Sequence, residues 1–280
     1  MIHLRDLGGL WRRALIAWPD GRTDCDTEVV WLQGPSLYAD LRVPAARPAD
    51  ANAACLRDLD RTMLRFMATQ EGFFGRFSVA DSIGQWQRTF DYQPDTGLAD
   101  RGALAFENGG LVERGIDLPY VEYWSRIDSG EGMALALATE SGTPGCLVGA
   151  GDSFIYARAR VAALPPLGGT LAQLVDDAAS LQAAQDLFDC EISFGRLRGS
   201  DWRIERSSHG FRESASLAPV FDERAGTLTI ADLTPEGAPG RRTWRVTAQE
   251  GVPSRWFVSD GARVVTRTHD GTLELAGEPR

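Results

Sequence analysis

Three short stretches of this chain set charged and aromatic side chains two residues apart: Tyr38-x-Asp40-x-Arg42, Trp86-x-Arg88-x-Phe90 and Tyr120-x-Glu122-x-Trp124. In an extended strand that spacing puts each trio on one face, so Gln85, Gln87, Thr89 and Asp91 form the opposite, wholly polar face of the middle stretch. Arg88 is then expected to point into an enclosed interior between two aromatics. A buried guanidinium must be paired, because an isolated buried charge is very costly. The expected partners are Asp40 and Glu122. Two chemistries follow from this constellation. In the first, Arg88 acts as a forked donor for a ligand carboxylate inside a cup of Trp31, Tyr38, Arg42, Trp86, Tyr120 and Trp124. In the second, Glu122 or Asp40 serves as acid or base in a cofactor-free isomerase, lyase or hydratase. A carboxylate beside arginine has a lowered pKa and is a weak base, which places binding ahead of catalysis. The same residues would equally serve as a structural network that closes the interior, or Asp40 and Arg42 would simply face water.

Composition excludes several other chemistries. All 29 basic residues among the 280 are arginine. Without lysine there is no Schiff base and no phosphate-binding lysine of a P-loop. A net charge of −10 disfavours nucleic acid and anionic lipid as partners. No apolar run is long enough to span a bilayer. Met1-Ile2-His3-Leu4-Arg5-Asp6 is not an apolar signal region, and Cys25, Cys55, Cys146 and Cys190 are far apart. The expectation is a cytoplasmic protein with free thiols, no metal site and no cofactor. His209 and His269 are the two candidates for an axial haem ligand, and Ser207-Ser208-His209 is not by itself a catalytic dyad. Asp176-Asp177 reads as a solvated helix face.

The elements that must position the three trios are short and strand-like. Alternation and turn residues predict strands over 10–17, 28–33, 37–43, 73–80, 83–92, 104–107, 111–114 and 120–127, then over 133–139, 146–148 and 154–161. Asp81-Ser82 and Asn108-Gly109 mark tight hairpins. Helical spacing of Cys55, Leu59, Met63 and Phe66 or Met67 predicts a helix over 51–70 ended by Gly72, and a second helix is expected over 171–187.

A plan repeated about 120 residues apart organises these elements. Tyr38, Phe74-Gly75-Arg76 and Trp86 recur as Tyr156, Phe194-Gly195-Arg196 and Trp202, with Trp11-x-Arg13 and Trp124-x-Arg126 read as the openings of the two copies. The expected fold is mostly β: two tandem antiparallel β-barrels made by internal duplication, each with one helix capping a barrel mouth, over residues 1–129 and 130–280.

Asp24-x-x-Thr27, Tyr38-x-Asp40-x-Arg42, Phe73-x-Gly75, Pro94-x-Thr96-Gly97, Glu113-Arg114-Gly115 and Tyr120-x-Glu122-x-Trp124 together resemble the fungal HRI family of calycin-like proteins. The resemblance spans roughly residues 10–127. It implies lipocalin-like barrels and carries no enzymatic activity with it. With small barrels known to enclose one ligand, the function expected is binding of a small apolar or amphipathic carboxylate inside the first barrel.

Overall fold

The structure, a computed structural model, describes residues 1–48, 53–130, 132–165, 169–253, 256–259 and 264–266. Its first sheet comprises β1 (Gly9–Ala17), β2 (Thr23–Asp24), β3 (Glu28–Gln33), β4 (Leu37–Val43), β5 (Glu71–Ala80), β6 (Ile83–Asp91), β7 (Asp100–Glu107), β8 (Gly110–Gly115) and β9 (Val121–Asp128). Every neighbouring pair is antiparallel, and β9 returns to pair with β1 from Leu10–Asp128 to Ala17–Val121. This closes an eight-stranded barrel, with β2 appended to the end of β1. The hairpin turns follow from residue type. Asn108 and Gly109 both adopt positive φ (50° and 82°), as the type I′ connection between β7 and β8 requires.

The second sheet comprises β10 (Gly132–Ala138), β11 (Pro144–Ala150), β12 (Ser153–Arg158), β13 (Glu191–Arg198), β14 (Asp201–Ser207), β15 (Val220–Asp222), β16 (Thr227–Leu233) and β17 (Pro239–Glu250). Its order, β14-β13-β12-β11-β10-β17-β16-β15, is the cyclic order of the first barrel opened between β14 and β15. It therefore forms a half-barrel built on the same circuit. The duplication extends to an irregularity. The pairing register shifts at Phe74/Gly75 and again at Phe194/Gly195. A Cβ on Gly75 would lie 1.9 Å from the Gln87 carbonyl oxygen, and one on Gly195 would lie 2.2 Å from that of Arg203. Only glycine allows these close approaches. A short hairpin of β18 (Phe257–Ser259) and β19 (Val264–Thr266) follows.

Trp124-x-Arg126 does not open a second copy. It lies in β9, where Trp124 faces Arg13 and Arg126 faces Trp11 across the seam that closes the first barrel. The helices are also shorter than their periodicity suggests. Asp60 caps α1 (Arg61–Met67) by accepting from the Met63 amide, and residues 56–58 form a separate 3₁₀ turn. Residues 51–52 of the expected helix lie outside the described residues, and Gly72 belongs to β5 rather than to a helix end. Ser180 splits the second helix into α2 (Leu171–Asp177) and α3 (Leu181–Asp186) by capping the latter. Among the described residues no helix is long and apolar enough to cross a membrane.

The two sheets pack through equivalent outer faces. Val30, Leu32, Ala39, Leu41 and Phe74 of the first meet Cys146, Val148, Ile155, Ala157, Ile192 and Phe194 of the second in one buried cluster that also takes in all three helices. Glu250 at the end of β17 ties the halves together by accepting from the amides of Ser36 (2.7 Å) and Leu37 (3.0 Å). The inner faces of both sheets are thereby left to their own contents.

Candidate functional site

The interior of the first barrel is layered. Its floor is aromatic: Trp31 contacts Phe77, Trp86 and Trp124 edge-on, with ring centroids 5.5–5.7 Å apart, and stacks on Trp11 at 6.0 Å. Such offsets are the favoured geometry for rings whose faces are negative and edges positive. Two residues further along several strands the inward positions become charged. Trp11 gives way to Arg13, Tyr38 to Asp40 and Arg42, Trp86 to Arg88, Leu111 to Glu113, and Trp124 to Glu122. The result is a tryptophan-lined cup beneath a charged collar.

A cavity of about 600 Å³ occupies this collar. Trp31, Asp40, Arg42, Trp86, Arg88, Tyr120, Glu122 and Trp124 all line it, together with Phe73, Asp91, Asp100 and Glu113. Of the residues expected at the site, Tyr38 alone is not in the wall. It lies buried against Phe73 and Phe77, with its hydroxyl unpartnered. Thr69, Pro94, Thr96 and Leu118 rim the opening, joined by Gly169 and Thr170 at the start of α2. The second half of the chain thus contributes to the mouth of the first barrel.

The arginines are paired, though not as the sequence suggested. Arg88 does point inward, and its guanidinium lies 3.8 Å from the centroid of Phe73. It is held by Asp91 and Asp100 (2.6 Å for the latter), not by Asp40 and Glu122. The shift at Gly75 is the cause. It leaves Thr89 unpaired, so that Asp91 rejoins the inner face opposite Phe73 while Phe90 turns outward onto Phe74. Asp40 instead accepts from Arg42 Nε at 2.9 Å. Glu122 accepts from Arg13 at 2.8 Å, and the same guanidinium reaches Asp24 at 3.1 Å.

Glu113 is the principal residue that sequence reasoning missed. It faces Glu122 across the β8–β9 ladder and accepts from the Tyr120 hydroxyl at 2.6 Å. Burial, reinforced by the neighbouring Glu122, pushes its carboxyl well above the usual range. Burial also carries Asp40 up to about 6, against the pull of Arg42. Burial raises Tyr120 too, helped by Glu113, so the phenol stays a donor. The collar therefore sets a carboxyl that burial raises, Glu113, beside Asp40 and Glu122, which guanidinium groups hold. That arrangement can bind hydrogen-bond donors, and it can supply a proton.

Among the described residues, the charged centre of the second half has only a small space beside it. There Glu191 accepts from Arg212 at 3.1 Å and from Ser193 at 2.6 Å, beside a void of about 10 Å³. Although burial opposes it, Arg212 and Arg158 bring Glu191 down to about 2. His209 is buried there, stacked on Phe211, with Nε2 2.9 Å from the Phe188 carbonyl oxygen. A void of that size leaves no room for a porphyrin beside it. His269 lies outside the described residues. Among the described residues no group of three His, Cys, Asp or Glu side chains is arranged to hold a metal ion. Asp176 pairs with Arg65 on an exposed surface.

No family model and no curated protein matches the chain. The chain is similar to the crystal structure of an uncharacterized protein from Saccharomyces cerevisiae, with a TM-score of 0.38 and 9% sequence identity over 93% of this chain and 98% of the other.

Proposed function

We propose that this protein binds a small amphipathic molecule in the cavity of its first barrel. The observation that carries the reading is the joining, within about 600 Å³, of a tryptophan cup to a polar collar. An apolar, ring-sized body fits the cup, and a polar head meets the collar. A carboxylate head, the choice that Arg88 alone suggested, needs an open guanidinium. Arg88 already has two carboxylates on it, so such a ligand would have to displace Asp91 or Asp100.

In this reading residues 1–129 are the binding unit and residues 130–280 support it, completing the rim through Gly169 and Thr170. The resemblance to the fungal HRI family is kept as part of the proposal. So is a cytoplasmic setting, which the free and buried Cys55, Cys146 and Cys190 support. Native mass spectrometry of the purified chain, followed by extraction under denaturing conditions, tests the binding reading. The expected result is a small amphipathic molecule at up to one per chain. A chain that stays unliganded, even after incubation with a panel of small amphipathic molecules, overturns it.

One observation favours a second reading, cofactor-free proton transfer. Glu113 and Glu122 are adjacent carboxyl groups in contrasting settings: burial raises the first, which accepts from Tyr120, while the second is paired with Arg13. Environments that separate two such groups are the mark of acid and base roles. Glu113, rather than Asp40, then becomes the proton donor.

A further inference from the structure

We infer that the head group recognised by the collar is a cationic amine, so that the cavity is a site for a small aromatic amine. This rests on the binding reading above and adds the chemical class of the ligand. Leaving aside Glu113, whose carboxyl burial raises, and Glu122, which Arg13 holds, the cavity wall still sets Asp40, Glu71, Asp91 and Asp100 against Arg42 and Arg88. Both guanidinium groups are already occupied. Arg88 is held by Asp91 and Asp100, while Arg42 is held by Asp40 and lies 3.6 Å from Glu71. A ligand carboxylate would enter a surplus of like charge, whereas a cation relieves it.

The acceptors are also unevenly used. Asp40, Glu113 and Glu122 are 2%, 3% and 3% exposed. Each has one carboxyl oxygen engaged, by Arg42, Tyr120 and Arg13 respectively. The second oxygen of each has no hydrogen-bond partner among the described residues. These oxygens are not sealed off, and an ammonium group can supply three donors to them without bringing any acceptor of its own. A bare metal ion fits less well, because no three of these side chains converge as ligands. The aromatic body follows from the cup. Trp31, Trp86 and Trp124 line the cavity, and indole rings attract both an aromatic ring and the carbons beside an ammonium group. The net charge of −10 adds long-range attraction for a cation.

The experiment is calorimetric titration of the full chain at neutral pH with three ligands that share a phenyl ring and nearly the same length: phenethylamine, 2-phenylethanol and 3-phenylpropionate. The amine is expected to bind at least about tenfold more tightly than the alcohol, with the carboxylate weakest. In Asp40→Asn, whose amide oxygen can still accept from Arg42, amine affinity at neutral pH is expected to fall about tenfold while that for the alcohol is unchanged. Equal or tighter binding of the alcohol or carboxylate by the natural chain overturns the amine assignment and leaves the cavity as a binding site. Binding of none of the three overturns the amine assignment and counts against the binding reading as well.

Discussion

Replacing Arg13 by methionine is expected to cost about 3–5 kcal/mol of stability, because it removes one partner of a buried ion pair and leaves the other charge uncompensated. Arg13 and Glu122 have side chains only 6% and 3% exposed and lie 2.8 Å apart. Arg42 Nη1, at 3.9 Å from the same Glu122 oxygen, is beyond hydrogen-bond distance and already shared with Glu71 at 3.6 Å, while its Nε holds the buried Asp40. The control is Arg12, one residue away on the outer face of β1. Its side chain is half exposed, and it pairs with Glu28 at 3.4 Å. Arg12→Met is expected to cost no more than about 1 kcal/mol. Urea unfolding followed by tryptophan fluorescence separates the two, since a loss of 3–5 kcal/mol moves the midpoint by on the order of 1–2 M. The double variant Arg13→Met/Glu122→Gln is expected to recover part of the loss, because the orphaned charge has gone. Equal costs for Arg13→Met and Arg12→Met, or no recovery in the double variant, would refute the reasoning.

Gly102→Ala would set a Cβ 2.6 Å from Cγ of Glu113, so it is expected to cost about 1–3 kcal/mol and to weaken ligand binding, read by unfolding and by titration. Asp40 has a folded pKa raised from 3.8 to about 6, so its contribution to stability is full below the ordinary carboxyl range and is lost as pH rises through 6. Asp40→Asn is expected to flatten that fall in melts taken between pH 4 and 6. Burial lowers His209 from 6.5 to about 4, so its contribution is present above 6.5 and lost as pH falls through 4. His209→Gln is therefore expected to lessen the loss of stability over that acid range. Of the four cysteines Cys25 alone is exposed, so a thiol reagent is expected to modify one residue in the native chain and all four after denaturation, counted by mass.

Much of this architecture can be read from alternation and turn chemistry. Strands β3 and β4 occupy the stretches their residues mark out, and Asn108-Gly109 turns where its left-handed preference demands. What escaped reading was set by single residues acting on the pattern. The close approach at Gly75 shifts one face of β6, which turns Phe90 out, brings Asp91 in and reassigns the partners of Arg88. Asp60 and Ser180 shorten and divide the helices through side-chain caps that compete with helical periodicity. Arg13 and Glu113 carried a usable signal, since Trp11-x-Arg13 and Leu111-x-Glu113 show the same two-residue step from apolar floor to charged collar as Trp86-x-Arg88. The pairing of β9 with β1, which brings Arg13 to Glu122 over a long stretch of chain, is a property of barrel closure that local pattern does not encode.

The eight tryptophans give the most direct test of where ligand binds, because Trp31, Trp86 and Trp124 line the cavity whereas Trp202 and Trp244 fill the interior of the second sheet. With the indole N–H signals assigned by single substitutions, the chain would be titrated with the tightest-binding of the three phenyl ligands and followed by nitrogen-edited NMR. The signals of Trp31, Trp86 and Trp124 are expected to move with ligand while those of Trp202 and Trp244 stay in place. Movement confined to Trp202 and Trp244, or a saturated chain in which no first-barrel indole shifts, would contradict it.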